Sequence, residues 1–440
     1  MTDAHGGPGQ VRPPVLVGML GLGVVGSGVA QTLAEQRDRL AEQAGCPVQL
    51  RRVVVRDLSK PRTPAVAHGQ LTDDPDQVLG DPAIAVVIEL MGGEEPALSY
   101  IKRALANGKH VITANKEVMA KHGPELAALA AERGVALHYE ASVGGGIPLI
   151  APFRQSLLAN RISALHAIIN GTTNYMLTRM AKEGVEFSPV LAEAQRLGYA
   201  EPDPSYDVEG TDAAFKLAIL AGLAFHTRVA PEQVYREGIT RLSARDFRYA
   251  RELGYAIKLL AIAKRVDGAV EARVHPAFIA EDRLLGQVDG VFNAVEVDGD
   301  LTGRIMFYGR GAGSLPTTSA VVADLIEVAQ ALGHGGRPRT PVANDAGLRV
   351  QSMNDVTTRY YVRMTVRDQP GVLAQIAQAL GDLQISIASV IQKESDSAAQ
   401  VAEIVLMTHL AREASMQAAL AGVRQLPGVV DIGAVIRGED

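Results

Sequence analysis

Two lysines and an acidic loop carry the side chains best suited to moving a proton and holding a small charged molecule. Lys116, in Thr113-Ala114-Asn115-Lys116, stands just past the apolar run His110–Thr113, which predicts a strand. Ligands of open α/β sheets sit at that carboxyl edge. A lysine there can accept a proton once burial or a neighbouring cation favours its neutral form. A solvated surface lysine is the alternative on position alone. Further on, Glu201, Asp203, Asp207, Glu209 and Asp212 place five carboxylates within twelve residues. EF-hand spacing and its sixth-position glycine are absent, and Pro202 and Pro204 stiffen the segment, so Ca²⁺ is a poor match. An ammonium group suits these acceptors better; a solvated acidic loop is the other reading. The stretch Ala213–Phe225 that follows is apolar on every side and predicts a buried helix. Asp212 and Lys216 nevertheless lie one turn apart on one of its faces. A charged pair on a buried helix needs partners, which either a polar pocket or a structural ion-pair network supplies.

A third feature is Gly21-Leu22-Gly23-Val24-Val25-Gly26, which follows the apolar run Val15–Leu20 and opens a helical stretch. In that context the first glycine allows a tight turn and the second lets the backbone approach a pyrophosphate. The third permits close helix–strand packing, and the helix start offers free N–H groups to the phosphates. The expected ligand is a nicotinamide dinucleotide; a glycine-rich packing turn is the alternative. At the end of the next strand Arg56 precedes Asp57, and Lys60 and Arg62 follow. An acidic residue there selects NAD and basic ones select NADP. Three cations around one carboxylate favour NADP, against the reading of a solvated charged loop.

The elements that must position these groups fall into an ordered pattern. Residues 1–14 are Gly- and Pro-rich and read as a loose tail. Strands are expected at Val15–Leu20, Val48–Val55, Ile84–Leu90, His110–Thr113 and Val135–Ser142. Helices are expected at Ser27–Ala44, Pro96–Asn107 and Glu117–Arg133, the last kinked or broken at Pro124. Continuous apolar strands such as Ala85-Val86-Val87-Ile88 suit a parallel sheet buried on both faces, so residues 15–145 read as a Rossmann-type, doubly wound α/β domain. After Gly144-Gly145-Gly146, residues 146–308 read as an α+β substrate and dimerisation domain. Its expected strand is Ser163–Asn170, followed by helices over much of 172–262 and short strands near 270–280, 290–298 and 302–308. Residues 309–334, with a helix over Leu315–Leu332, return to the cofactor domain. A linker spans 335–358, and a compact βαββαβ unit of ferredoxin-like type spans 359–440.

Composition narrows the classes. The 440 residues, 47% apolar and 21% charged, suit a globular protein of two or three domains. A net charge of −6 without a basic run argues against nucleic acid as a partner. The apolar run Val15–Ala30 is 16 residues long and holds five glycines, too short and too glycine-rich to span a membrane. The single cysteine, Cys46, excludes an intrachain disulfide and fits a cytoplasmic location.

Taken in order, these motifs resemble the homoserine dehydrogenase family. The matching pieces are Gly21–Gly26, Thr113–Lys116, Glu140-Ala141-Ser142-Val143-Gly144-Gly145-Gly146-Ile147-Pro148 and Asn170-Gly171-Thr172-Thr173-Asn174-Tyr175. The stretches from Gly198 through Lys216 and Gly309–Thr318 match too, so the likeness runs across roughly residues 15–330. The tail, with Asp368-Gln369-Pro370-Gly371-Val372-Leu373, resembles an ACT domain. The resemblance implies reversible, NAD(P)-dependent hydride transfer between L-homoserine and L-aspartate 4-semialdehyde, a step of threonine, methionine and isoleucine biosynthesis. It implies that Lys116 and Lys216 are the catalytic lysines, and that Glu201 holds the substrate amino group with Asp207 and Asp212 around it. Thr172 and Gly171 are implied beside the substrate. Gly21, Gly23, Val24, Val25, Gly26, Thr113, Lys116, Gly309 and Gly311 are implied at the cofactor, alongside Arg56 and Lys60 from the charged loop. The backbone at Glu140, Val143, Gly145 and Ile147 matches a monovalent-cation site for Na⁺ or K⁺. No catalytic position departs from the pattern.

Rival readings are weaker. A thiol-dependent aldehyde dehydrogenase needs a nucleophilic cysteine, and Cys46 lies at the end of the first expected helix, where it reads as packing. Another amino-acid dehydrogenase or reductase is the closest enzymatic rival, while intact Lys116, Lys216 and the acidic loop argue against a dinucleotide-binding amino-acid sensor without chemistry. For the ACT-like tail the expectation is feedback binding of threonine, with an assembly-only module as the alternative. Edge-to-edge pairing of such units predicts a homodimer or homotetramer.

Overall fold

The computed structural model describes residues 12–62, 65–334, 336, 347–392, 395–396 and 400–439. Most of the expected N-terminal tail, and residues 335 and 337–346 of the expected linker, lie outside the described residues. The described residues form two compact units, one drawn from those within 1–159, 222–228 and 309–345, the other from those within 160–221, 229–308 and 346–440.

In the first unit, β1 (Val15–Leu20), β2 (Val48–Val54), β3 (Leu71–Thr72), β4 (Val86–Glu89), β5 (His110–Thr113) and β6 (Leu137–His138) form a six-stranded sheet in the order β3-β2-β1-β4-β5-β6. Every neighbouring pair is parallel. This is the doubly wound dinucleotide-binding order, whose chain reversal falls between β1 and β4. The runs Val86–Ile88 and Val111–Ile112 are wholly buried, as a sheet covered on both faces requires. The helix Ser314–Gly333 packs Val321, Leu325, Val328 and Ala329 into the same core as Val17, Met19, Val53 and Ile88.

In the second unit, β7 (Ile162–Ile168), β8 (Tyr255–Val266), β9 (Ala269–Ala280), β10 (Phe292–Gly299) and β11 (Gly303–Arg310) continue directly into the C-terminal strands β12 (Thr357–Arg367), β13 (Ile387–Ile391), β14 (Val401–Thr408) and β15 (Val429–Glu439). The join is a parallel pairing of β9 with β15, with Ala277 opposite Arg437 and Ile279 opposite Glu439. The C-terminal βαββαβ unit is thus one end of a larger sheet. Buried ion pairs fix the joint. Arg437 donates to both oxygens of Glu413 at 2.8 and 2.6 Å and to Glu237 at 2.8 Å, while Arg363 donates to Asp246 at 2.7 Å. Tyr249 donates to Glu403 at 2.9 Å. Removing one partner of such a pair leaves a buried charge, so the network specifies alignment more than it adds stability.

Several expected elements differ. The stretch 172–262, expected to be largely helical, ends instead in a twelve-residue strand, Tyr255–Val266. Its Leu, Ala and Lys residues favour helices, but Ile257–Ala263 is buried on both faces between β7 and β9, and tertiary pairing overrides propensity. The helix Lys116–Arg133 runs through Pro124 without a break. The first long helix is two, Val24–Glu35 and Arg37–Ala44. The sixth strand of the first unit stops at His138, and Glu140–Ser142 turns into a short 3₁₀ segment. Arg349–Val350, within the expected linker, pairs with β9.

One buried histidine in β9 couples this sheet to pH. His275 is fully buried; its Nδ1 lies 2.9 Å from the carbonyl of Pro276, and its Nε2 accepts from Arg273 at 3.2 Å. These contacts suit the neutral ring alone. Burial first, then the nearby Arg437 and Arg273, push its pKa down to about 3. The folded-state value lies below the unfolded one of about 6.5, so the stabilisation is present above pH 6.5 and is lost as pH falls. Between pH 7 and pH 5 His275 withdraws roughly 2 kcal/mol. Denaturant midpoints across that range should fall for the wild type and fall less for His275→Asn. Equal slopes would contradict this role.

Candidate active site

The glycine-rich turn in the first unit has the geometry of a phosphate cradle. Gly21 adopts φ +98°, and a Cβ there would meet the Leu90 carbonyl at 2.8 Å. A Cβ on Gly26 would meet the Gly21 carbonyl at 2.5 Å, so the helix start packs on the turn. Gly23 is the opposite case: a Cβ would have no atom within 4 Å. It caps the helix Val24–Glu35, whose first N–H groups receive no side-chain cap and whose first residue, Val24, is 76% exposed. Val25 is half-buried one position on. An uncapped helix N-terminus beside open space fits a pyrophosphate.

Beside this turn the charged loop is partly organised. Asp57 accepts from the Ser59 backbone at 2.9 Å and its hydroxyl at 2.6 Å, and these bonds hold its carboxyl below the usual range. Arg56 and Lys60 are exposed. Arg62 bridges the Leu22 carbonyl at 2.9 Å and the Asp57 carbonyl at 3.0 Å, tying loop to turn. Sequence reasoning counted Arg62 only as a nearby cation; its reach across forty residues had no local signal.

At the end of β5 Thr113 is buried and donates to Glu89 at 2.6 Å. Glu89, wholly buried at the end of β4, also accepts from the Met91 amide at 2.6 Å, and burial pushes its carboxyl above the usual range. Sequence reasoning missed Glu89; a carboxylate ending an otherwise apolar strand was the available signal. Asn115 caps the next helix through Val118 at 3.1 Å, and Lys116, half-buried, is that helix's first residue.

Glu140 spends its carboxylate on the amides of Leu149, Ile150 and Ala151 at 2.5, 2.8 and 2.7 Å, and burial pushes its pKa up. Its amide donates to Asp324 at 3.0 Å. Among the described residues no backbone amide donates to the carbonyls of Val143, Gly145 or Ile147. Carbonyls that no described backbone amide claims, on a tight loop, suit a hard monovalent cation. Gly145, at φ +53°, has no room for a side chain, because a Cβ would meet the Gly311 carbonyl at 2.6 Å. Gly309 likewise lies against Ile147, so the return segment backs this loop.

In the second unit one network gathers three of the expected residues. Asn170 follows β7 and caps the helix Gly171–Glu183 by accepting from the Thr173 amide at 2.8 Å. Its amide nitrogen donates to Asp207 at 2.7 Å and to Asp212 at 2.9 Å. The same Asp212 oxygen accepts from Lys216 at 2.7 Å, and Lys216 also donates to the Ile169 carbonyl at 2.9 Å. Asp212 and Lys216 side chains are only 3% and 12% exposed, while Asp207 is half-buried. The buried helix resolves its charge conflict by this network. Asn170 was expected at the end of a strand; its capping residue type was an available signal, but its bridging of two carboxylates 37 and 42 residues away had none. Thr172 donates to the Tyr199 carbonyl at 2.6 Å, and Gly171 has the Val291 carbonyl where a Cβ would go. Glu201 is exposed on a loop whose carbonyls at 201 and 202 accept from Gln195 at 3.1 Å, and its carboxylate stands outside the network.

Comparison with known proteins agrees with these pieces. Residues 21–140 match the family model of the homoserine dehydrogenase NAD-binding domain, residues 148–326 that of homoserine dehydrogenase, and residues 360–428 that of the ACT domain. The chain is 45% identical to a homoserine dehydrogenase of Synechocystis sp., covering 96% of this chain and 99% of the relative. It is 41% identical to one of Corynebacterium glutamicum, covering 98% and 96%. Among solved structures, a homoserine dehydrogenase from Thiobacillus denitrificans superposes with a TM-score of 0.91 at 45% identity, covering 97% of this chain and 99% of that one. A hyperthermophilic archaeal homoserine dehydrogenase in complex with NADPH superposes with a TM-score of 0.61 at 26% identity, over 72% of this chain and 97% of that one. With the nucleotide-binding sheet order, the open glycine turn and full-length identity of this degree, the chain belongs to the homoserine dehydrogenase family.

Proposed function

We propose that this NAD(P)-dependent oxidoreductase of amino-acid biosynthesis oxidises L-homoserine to L-aspartate 4-semialdehyde and catalyses the reverse reduction, with NADP favoured over NAD. The observation that carries the substrate reading is the Asp207–Asn170–Asp212–Lys216 network, a positioned cation and two carboxylates on an otherwise apolar framework. Oxidation removes a hydride from the alcohol carbon and a proton from its hydroxyl. When bound, the nicotinamide supplies the hydride acceptor, and the protein supplies orientation and charge. Lys216 donates to a carboxylate and a carbonyl, so it acts as an ammonium and supports negative charge developing on the substrate oxygen. We assign Lys116 the role of proton acceptor. Glu201, Asp207 and Asp212 receive the substrate amino group, and Thr172 and Gly171 shape the loop beside it. Thr113, Gly309 and Gly311 support the cofactor with Gly21, Gly23, Val24, Val25 and Gly26. The carbonyls at Glu140, Val143, Gly145 and Ile147 hold Na⁺ or K⁺.

Support for NADP comes from the loop after β2, where Asp57 is engaged by Ser59 while Arg56 and Lys60 point out as cations. The archaeal relative carrying NADPH agrees with this choice. Arg56→Ser with Lys60→Ser should raise KM for NADP⁺ at least tenfold and leave KM for NAD⁺ within twofold. Equal effects on both cofactors would remove the preference assigned to these residues.

The C-terminal ACT domain we assign to feedback by threonine, supported by its merger with the sheet of the second unit through β9 and β15. Threonine added to the full chain should lower activity in a saturable way; no response at high millimolar threonine would leave assembly as the role of this domain. Among the described residues strand β13 is the last of the sheet and carries an exposed Val390, which supports assembly as a homodimer or homotetramer. No described helix is long and apolar enough to cross a membrane. The sole cysteine, free and buried, suits work in the cytoplasm.

A further inference from the structure

Away from the glycine turn and the substrate network, one cluster in the first unit has ligand chemistry without an assigned use. His138, the last residue of β6, is 1% exposed, and its Nδ1 has no hydrogen-bond partner among the described residues. Asp324 and Glu327 stand three apart on the helix Ser314–Gly333 and so share a face. His138 Nδ1 lies 3.5 Å from Asp324 Oδ1 and 3.7 Å from Glu327 Oε2. One ligand atom from each of the three residues lies within 4.8 Å of the other two.

These separations exceed those of a hydrogen bond. They match donor atoms that share an ion, since bonds of roughly 2.0–2.2 Å at tetrahedral angles set neighbouring donors about 3.3–3.6 Å apart. The surroundings hold the donors in place. Asp324 Oδ2 accepts from the Glu140 amide at 3.0 Å, which leaves Oδ1 as the oxygen nearest His138. His138 is fixed by the pairing of β6 with β5 opposite Ile112. The Glu327 side chain is 46% exposed, giving an ion a route from solvent and room for a water ligand.

We propose that His138, Asp324 and Glu327 form a site for a divalent transition-metal ion of the Zn²⁺ class, with three protein ligands and one water. An imidazole with two carboxylates suits Zn²⁺ and Co²⁺, whereas Mg²⁺ and Ca²⁺ take all-oxygen sets. The ion cross-links the edge strand β6 to the helix Ser314–Gly333 and, through Asp324, steadies the turn that begins at Glu140. The site is separate from the dinucleotide turn and is independent of the substrate assigned above.

The test uses the untagged full chain, stripped with chelator and dialysed, with Co²⁺ as an optical probe and Zn²⁺ followed by calorimetry and melting. The expected result is one equivalent of Co²⁺ with visible bands of four-coordinate intensity, displaced by Zn²⁺, and a Zn²⁺-dependent rise in Tm that Mg²⁺ does not reproduce. Glu327→Gln should weaken binding at least tenfold, and His138→Asn should abolish the bands. Should the buried His138→Asn variant fail to fold, the surface variant Glu327→Gln decides alone. Absence of Co²⁺ bands, or binding as tight in Glu327→Gln as in the wild type, overturns the site and leaves a packing contact between His138 and the carboxylates.

Discussion

Replacing Lys216 by Ala lowers kcat by about three orders of magnitude while dinucleotide affinity stays within twofold. Proton-transfer and oxyanion-stabilising groups each contribute roughly 10²–10⁴ in rate, and Lys216 donates into the network of Asp207, Asn170 and Asp212 through Asp212. The glycine turn that fits the dinucleotide belongs to a different compact unit of the chain, so its affinity for cofactor should not follow the change. The variant also leaves Asp212, 2% exposed, without its cation, which costs stability. A melt must therefore accompany the kinetics, and a folded variant with near-native turnover would remove Lys216 from the catalytic role.

Gly23→Val has the second large effect and separates binding from folding. Every other glycine of the turn is hemmed in: Gly21 by the Leu90 carbonyl and Gly26 by the Gly21 carbonyl, so substitution there damages the fold itself. A Cβ at Gly23 meets nothing within 4 Å, and the side chain of Val would extend into open space at the helix start. The isolated protein should melt within about 2 °C of the wild type. Its KM for either dinucleotide should rise a hundredfold or more, because the added methyls occupy the approach that a pyrophosphate needs. Tight dinucleotide binding by the folded variant would move the phosphate site elsewhere.

The features that could be read from sequence were those set by short-range chemistry. Gly21, Gly23 and Gly26 sit in one turn, and Asp212 and Lys216 sit one helical turn apart, so spacing alone placed each set. Strands β1 and β5 were bounded correctly because continuous apolar runs leave a parallel sheet few alternatives. What escaped depended on contacts distant in sequence. Asn170 joins Asp207 to Asp212, and Arg62 reaches back to Leu22. Tyr255–Val266 is a strand because β7 and β9 flank it, although its own residues favour a helix. The merger of the C-terminal strands with β9 rests on a pairing between residues 160 positions apart, Ala277 and Arg437, for which no local signal exists.

Oxidation of L-homoserine is tested most directly by following reduced nicotinamide formed by the purified chain, supplied with NADP⁺ and NAD⁺ in separate runs. Turnover of L-homoserine, faster at low NADP⁺ than at equal NAD⁺, with none on L-serine or L-threonine, is the predicted result. A protein that binds dinucleotide yet leaves L-homoserine unchanged with both cofactors would contradict it.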